Sequence, residues 1–192
     1  MNYKMILRLV CYILRVEAVC LLPSLGISFF AGETAAAFGT AVSVILAALL
    51  SLCTFFFSPD NRQIGAREGF ISVALCWVAV SLIGALPFFL SGAVPNYVDC
   101  FFETVSGFTT TGASILTDIE AMPMGLLYWR SFTHWLGGMG VLVFLLAVMP
   151  MGKGKNSLLH VMRAESPGPQ VDKLVPKLQE SAKILYAIYI GL

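Results

Sequence analysis

The chain has 192 residues, of which 58% are hydrophobic and only 12% are charged. An ordinary soluble domain has roughly 45–50% apolar and about 25% charged residues, so the composition excludes a water-facing globular protein. The 12 Lys and Arg against 11 Asp and Glu give a formal net charge of +1. That balance does not suggest nucleic-acid binding or an acidic tail.

The N-terminal segment, residues 5–30, predicts a first membrane-spanning helix. It contains Arg8, Arg15 and Glu17 but carries no charge over residues 18–32. A cleaved signal peptide is the alternative, because basic residues precede an apolar stretch. The charges at positions 15 and 17 interrupt that stretch, and the segment is too long for a signal peptide, so a spanning helix is favoured.

Long stretches without charge predict three more spanning helices. Three stretches contain no Asp, Glu, Lys or Arg: residues 34–59, 69–98 and 131–152. Each exceeds the roughly 20 residues that a helix needs to cross the hydrocarbon core of a bilayer. A last apolar run, residues 183–192, provides only ~15 Å of helical rise. The sequence therefore predicts an all-α polytopic membrane protein whose given chain stops inside a further helix.

The basic residues predict the orientation of these helices. With the N-terminus in the cytoplasm, the inner side receives 11 of the 12 Lys and Arg, including six in the polar segment 151–183. Only Arg130 lies outside, as the positive-inside rule favours. The outer side carries Glu33, Asp99, Asp118 and Glu120, with Glu103 near it. This acidic outer mouth would concentrate cations.

Cysteine and histidine do not indicate a metal centre or a redox site. The five cysteines include no CxxC pair, and all but Cys100 lie in predicted spans, as small buried apolar residues do. His134 and His160 have no second ligand at helical spacing. His134 is either a functional group or a neutral histidine bonded to a neighbouring helix, and the second is favoured. No nucleophile, base and orienting group come together, so no enzyme and no cofactor is expected.

A short apolar segment, Tyr97–Phe108 (YVDCFFETVSGF), lies between the third and fourth spans. Pro95 and Asn96 provide a turn and a cap before it, and Gly107 is expected to end the helix. Twelve residues give about 18 Å of helix, which is too short to cross a bilayer. The segment thus resembles a re-entrant pore helix, since irregular backbone at membrane depth must be buried in protein or line a cavity.

Six small residues follow this helix and are the candidate cation ligands. They are Thr109, Thr110, Thr111, Gly112, Ala113 and Ser114. A dehydrated cation needs several oxygen ligands, which a strand of carbonyls supplemented by threonine hydroxyls can supply. Gly112 permits the backbone dihedrals that turn carbonyls toward one axis. A Ser/Thr-rich turn that binds nothing is the alternative, but the position after a short apolar helix favours the ion site.

Two further features surround this segment. Glu103 either holds the filter backbone, tunes the field on the ion, or faces external water, since a membrane-embedded acid is costly unless it is hydrogen-bonded. Arg130 is expected to snorkel or to pair with an external acid, and Trp129 and Trp135 to lie at the interface or pack. Three glycines are predicted to pack the fourth span against the pore helix. They are Gly137, Gly138 and Gly140.

The runs FETVSGFTTTGAS, WRSFTHWLGGMGVLVF and RAESPGPQVDKLVPKLQESAKILYAIY together resemble the Trk/Ktr potassium-uptake family, in its membrane subunit of the TrkH/KtrB type. The resemblance covers essentially the whole chain. It implies repeated helix–pore helix–helix units around a pseudo-fourfold ion path and K+ uptake across a bacterial or archaeal cytoplasmic (inner) membrane. The implied partners are the other pore units, a homodimer of full-length chains and a cytoplasmic nucleotide-binding regulatory subunit of the TrkA/KtrA type, with no nucleic acid.

The resemblance also assigns roles to residues and segments. The filter strand is residues 109–113, with Gly112 the glycine that the family's pores require and Thr110 and Thr111 the strongest carbonyl ligands for K+. Glu103, Ser114 and Gly107 would support the filter. The implied segments are an N-terminal helix pair (1–58), a first pore unit (69–151), a cytoplasmic connector (152–182) and the start of the next helix (183–192).

Two functions remain open on the sequence alone. The first is a potassium-selective pore, and the second is a structural or assembly protein of the membrane whose TTTGAS turn binds nothing. Family members carry four pore units in one chain and this sequence has one. A longer transporter, of which this is one part, is favoured over the assembly of four copies, because the last apolar run is shorter than a span.

Overall fold

The computed structural model describes residues 3–53, 66–138 and 140, together with the isolated positions 184, 187 and 191. The described residues form five helices and no strand, which agrees with the predicted all-α class: α1 (Tyr3–Phe30), α2 (Thr34–Leu52), α3 (Ala66–Leu90), α4 (Tyr97–Phe108) and α5 (Met124–Gly138). The predicted connector 152–182, His160, most of the run 183–192 and the inner half of the fourth predicted span lie outside the described residues.

The helices α1 and α2 form an antiparallel pair. The turn between them spans residues 31–33, and Gly32 provides its positive φ of 74°. Among the described residues, α2 and the segment Ile71–Leu90 of α3 are long and apolar enough to cross a membrane by length and composition. The other two predicted spans, α1 and α5, are not among these helices, and α5 has only 15 described residues.

The side chains of α2 are distributed as in a membrane helix. Its buried face consists only of small residues: Ala36, Gly39, Thr40, Ser43, Ala47 and Ser51. Its exposed face carries large apolar side chains, with Phe38 64%, Ile45 58% and Leu49 57% exposed. Small residues let helix backbones approach closely inside a bilayer, where lipid tails accept the large apolar groups. A water-soluble helix would place the large apolar side chains inside instead.

Gly39 marks the closest approach of α2 to α3. A Cβ atom added there would lie 2.9 Å from the amide nitrogen of Ser91 and 3.0 Å from the carbonyl oxygen of Pro87. Both contacts are backbone atoms, which cannot move aside as a flexible side chain can. The end of α3 therefore fits against a glycine-sized gap in α2.

An aromatic core joins α3, α4 and α5. Trp129 of α5 is fully buried, and its Nε1 donates a hydrogen bond to the carbonyl oxygen of Gly84 at 2.9 Å. The ring of Phe108 packs edge-on against Trp129 and Trp77, with centroid distances of 6.4 and 6.3 Å. Trp129 was expected to lie at the membrane interface or to pack within the protein, and it packs within the protein. This core places the end of α4 between its two neighbours.

The N-terminal pair is bonded to the rest of the fold near the turn between α1 and α2. The carboxylate of Glu33 accepts hydrogen bonds from the backbone amides of Met124 at 2.6 Å and Gly125 at 3.2 Å. Backbone amides in the first turn of a helix have no acceptor within that helix. The Glu33 carboxylate supplies one, so it caps α5 although the two are far apart in the sequence. Ser24 of α1 adds a hydrogen bond to the carbonyl oxygen of Gly125 at 2.7 Å.

Candidate functional site

The candidate site begins with α4, whose bounds match the sequence prediction. Asn96 is the N-cap residue, and its side chain accepts a hydrogen bond from the amide of Val98 at 3.1 Å. The predicted cap is therefore confirmed. The helix extends one residue beyond Gly107 and ends at Phe108. The candidate cation ligands of residues 109–114 therefore begin directly after the end of this helix.

Two glycines allow close contact between the C-terminal end of α4 and α5. A Cβ atom at Gly107 would collide with the Oγ1 atom of Thr133, and one at Gly137 would collide with the carbonyl oxygen of Phe108. The predicted contact between the fourth span and the short helix is made at Gly137. Gly138 is exposed, and Gly140 follows the helix end with a φ of 67°.

The backbone after α4 alternates in handedness. Thr109 has a φ of −82°, whereas Thr110 and Gly112 have positive φ values of 56° and 73°. Positive φ is uncommon for a residue with a Cβ atom, and such strain tends to occur at functional sites. Alternating right-handed and left-handed residues turn successive amide groups to one side of the chain. The carbonyl oxygens then point to the opposite side.

The hydrogen bonds of this segment agree with that alternation. The amides of Thr109, Thr110 and Thr111 donate back to the last turn of α4, to carbonyl oxygens of Val105, Gly107 and Ser106 at 2.8, 3.0 and 3.0 Å. Within the described part of the chain, no donor reaches the carbonyl oxygens of residues 110–112. Residues 109–115 are exposed. These carbonyls form a row of acceptors on the surface of the unit.

The hydroxyl groups and the carbonyl of Ala113 have internal partners. Thr109 Oγ1 bonds the carbonyl oxygen of Val105 and lies 2.8 Å from Thr111 Oγ1, and Thr110 Oγ1 donates to the carbonyl oxygen of Thr109 at 2.7 Å. The hydroxyl of Ser106 donates to the carbonyl oxygen of Ala113 at 2.6 Å. An ion ligated by the threonine hydroxyls would share them with these bonds.

Glu103 connects α4, the strand after it and α5. Its side chain is 2% exposed. One carboxylate oxygen accepts hydrogen bonds from Ser114 Oγ at 2.6 Å and from the amide of Ile115 at 2.7 Å. The other accepts from Arg130 Nε at 3.1 Å. The alternative of a carboxylate facing external water is wrong. Arg130 does pair with an acid, but its partner is the buried Glu103 and not an external acid as expected.

The remaining polar candidates are placed without a role in ion binding. His134 Nδ1 lies 3.0 Å from the carbonyl oxygen of Arg130, so its partner is on its own helix and not, as expected, on a neighbouring one. All five cysteines are free. Burial raises the pKa of the Cys100 thiol to about 11, so it remains neutral at physiological pH. The described residues contain no cluster of His, Cys, Asp and Glu that could hold a metal.

Three residues that support the candidate site through hydrogen bonds or packing were not predicted from the sequence. Ser106, which bonds Ala113, and Thr133, which fills the space above Gly107, were not singled out, and Glu33 was placed only in an acidic mouth. For the bond between Ser106 and Ala113, the one local signal is their separation of seven residues in the sequence. The other two contacts depend on helix packing that no short-range pattern encodes.

The chain is similar to proteins of one transport family. Residues 18–192 match the model of the TrkH family, described as a cation transport protein. The chain is 36% identical over 199 residues to the Trk system potassium uptake protein TrkH of Halomonas elongata, covering 100% of this chain and 40% of that protein.

Two proteins of Escherichia coli K12 give similar matches. The Trk system potassium uptake protein TrkH is 39% identical over 148 residues, covering 73% of this chain and 30% of that protein. The Trk system potassium uptake protein TrkG is 38% identical over 130 residues, covering 66% and 26%. The chain thus spans two fifths or less of the length of these curated relatives.

Proposed function

Because the chain belongs to the TrkH family of cation transport proteins, we propose that it forms a pore unit of a potassium-uptake system in the cytoplasmic membrane. The function rests on one observation, the row of carbonyl oxygens at Thr110, Thr111 and Gly112 directly after the end of α4. Rings of backbone carbonyls that replace the hydration shell are how selective pores bind K+. Uptake of potassium is what the names of the relatives state.

The end of α4 also favours a cation electrostatically. The C-terminus of a helix carries a partial negative charge of about half an elementary charge. The filter strand, residues 109–113, begins at this C-terminus, and its amides bond the last helical turn. The carbonyl dipoles and the helix dipole therefore add their negative potential on the exposed side of the strand.

The filter strand is held at its C-terminal end by side chains of α4. Ser106 bonds Ala113, and Glu103 bonds Ser114 and Ile115. Because Glu103 is paired with Arg130, its charge is balanced inside the fold. The carboxylate thus positions the strand rather than acting as a ligand for the ion.

A single strand cannot surround an ion. The exposed carbonyls form one side of a coordination shell, so strands from other units of the assembly complete the ring. The exposed side chains of Val98 (68%) and Phe102 (44%) on the neighbouring face of α4 would pack against those units. The partners that the family resemblance implies, further pore units and a nucleotide-binding cytoplasmic subunit, belong to this proposal.

Substitution of Gly112 by serine tests the filter. Gly112 has open space around its Cβ position but a φ of 73°, so serine fits and strains only the backbone, by about 1–2 kcal/mol. We expect Gly112→Ser to lower the preference for K+ over Na+ about tenfold in the native assembly, since 1.4 kcal/mol corresponds to a factor of ten. The measurement is ion flux into cells or proteoliposomes.

Gly92→Ser is the matched control. Gly92 has a φ of 74° and open space around its Cβ position, but it lies in the turn before α4. The same local strain arises there without touching the filter strand. If both variants keep the wild-type ion preference, the filter assignment fails and a structural or assembly role accounts better for the chain. If only Gly112→Ser changes the preference, the filter is supported.

A further inference from the structure

Glu17 is a buried acid that the proposed pore does not use. It lies on α1, two turns before Ser24, and its side chain is 3% exposed. Neither carboxylate oxygen receives a hydrogen bond from any residue that the structure describes. The other buried acid in that part of the chain, Glu103, is bonded to Ser114, Ile115 and Arg130.

The surroundings of Glu17 place it behind the pore helix. Its Oε1 atom lies 3.0 Å from the position that a Cβ of Gly84 would occupy. The same position is 2.9 Å from Thr104 Cγ2 and 3.4 Å from the ring of Phe108, both on α4. Glu17 therefore lies where α1 meets the contact between α3 and α4, and Gly84 provides the space for it.

The charged groups on the surrounding helices are bonded elsewhere. The guanidinium of Arg15 donates to the carbonyl oxygen of Ser51 at the end of α2. On α4 and α5, Glu103 and Arg130 pair with each other, and His134 bonds its own helix. The other titratable residues of these helices are Tyr3, Lys4, Arg8, Cys11, Tyr12, Cys20, Arg67, Glu68, Cys76, Tyr97, Asp99, Cys100 and Tyr128. No cation in the described part of the chain is hydrogen-bonded to the carboxylate of Glu17.

An ionised carboxylate in this position would be strongly destabilising. Removing an unpaired charge from water costs several kcal/mol even after relaxation, and a buried acid without a partner becomes neutral instead. We propose that Glu17 is a proton-binding site behind the pore helix. Its carboxyl group is neutral while α1 packs on α3 and α4, and loss of the proton loosens that packing.

The proposal fixes the sign of a pH dependence. The folded unit holds a proton on Glu17 that the unfolded chain releases at neutral pH, so folding takes up one proton. Stability is then greatest at low pH and decreases as the pH rises, by up to about tenfold in the unfolding equilibrium constant per pH unit. Replacement by glutamine removes this contribution.

Infrared difference spectroscopy of the native assembly at neutral pH is the direct test. A protonated carboxyl group has a C=O stretching band that an ionised carboxylate lacks. We expect this band in the wild type, its loss in Glu17→Gln and its retention in Glu120→Gln. Glu120 is exposed, so the second variant is the same chemical change at a solvated carboxylate.

Stability measurements separate the remaining outcomes. Glu17→Gln is expected to assemble and to show a shallower decrease of thermal stability between pH 6 and 9 than the wild type. Absence of a Glu17 band in the wild type would overturn the proposal, because the group would then be ionised and paired with an ion. Assembly of Glu17→Asp together with failure of Glu17→Gln would also overturn it, since a charge would then be required. None of these readouts depends on potassium selectivity.

Discussion

At the scale of single residues, the ion pair between Glu103 and Arg130 connects α5 to the end of the proposed filter strand, because Glu103 also bonds Ser114 and Ile115. Glu103 is 2% and Arg130 14% exposed, so water does not screen the pair as it would at a surface. Breaking a buried pair by removing one partner typically costs 3–5 kcal/mol, because the other charge stays buried. Two hydrogen bonds, from Ser114 and Ile115, remain for Glu103 and reduce that loss.

Replacing Arg130 tests this role. We expect Arg130→Met to destabilise the protein by about 2–3 kcal/mol and to weaken selection of K+, because the uncompensated carboxylate would pull away from Ile115. Arg130→Lys should recover part of the stability and part of the K+ selectivity, since lysine restores the positive charge but not the planar guanidinium group. Thermal unfolding and ion flux measure the two effects.

Ser131→Ala provides the control for this pair. Ser131 is exposed and bonds only its own helix, at the carbonyl oxygen of Leu127, so its loss should change neither stability nor ion preference measurably. An Arg130→Met variant as stable and selective as Ser131→Ala would show that the pair does not hold the strand.

At the scale of elements, helix packing depends on where a glycine meets backbone. Gly39 of α2 lies against Pro87 and Ser91, whereas Gly26 of α1 has nothing within 4 Å of its Cβ position. The two residues are both inside helices, so alanine improves helix propensity by up to about 1 kcal/mol at either site. Only the space around them differs.

The pair therefore gives opposite expectations for the same substitution. Gly39→Ala should destabilise by about 1–3 kcal/mol, since overpacking against backbone forces the helices apart. Gly26→Ala should be neutral or slightly stabilising. Thermal unfolding of the purified protein measures both, and equal stabilities would contradict the close packing of α2 on α3.

The bounds of α4 could be predicted from the sequence because local signals define them. Asn96 is a cap, the run after it is apolar, and the residues after Phe108 are poor helix formers. The charge-free stretches likewise indicated α2 and α3. These features need only the residues next to one another in the chain, which a sequence displays directly.

The contacts across helices could not be predicted in the same way. Glu33 caps α5 from 91 residues away, and nothing near Met124 signals that its amide has a carboxylate partner. Glu17 looked only like an interruption of an apolar segment, and its position at Gly84 depends on how three helices pack. The partner of Arg130 was expected only as an external acid, whereas it is the buried Glu103.

At the scale of the whole molecule, the N-terminal pair binds the pore unit at several depths. Glu33 caps α5 near the turn between α1 and α2, and Glu17 lies against Gly84 further along α1. Arg15 bonds the last turn of α2 near the other end, where cations are favoured by the helix dipole. The loop that contains Thr117 thus lies on the same side as Glu33, opposite to Lys4 at the start of α1.

This arrangement gives a testable orientation in the membrane. The distribution of basic residues predicts that Lys4 lies in the cytoplasm and that the loop between α4 and α5 lies outside. Thr117 is a better labelling site than Asp118, whose carboxylate accepts hydrogen bonds from the amides of Glu120 and Ala121. Thr117 and Lys4 are both exposed.

In intact cells, we expect a membrane-impermeant maleimide to label Thr117→Cys and not Lys4→Cys. After permeabilisation both variants should be labelled, because both thiols are accessible to water. The five native cysteines are buried or half-buried, and the wild type gives their background. Labelling of Lys4→Cys but not Thr117→Cys in intact cells would reverse the orientation, and with it the side from which potassium would enter the filter strand.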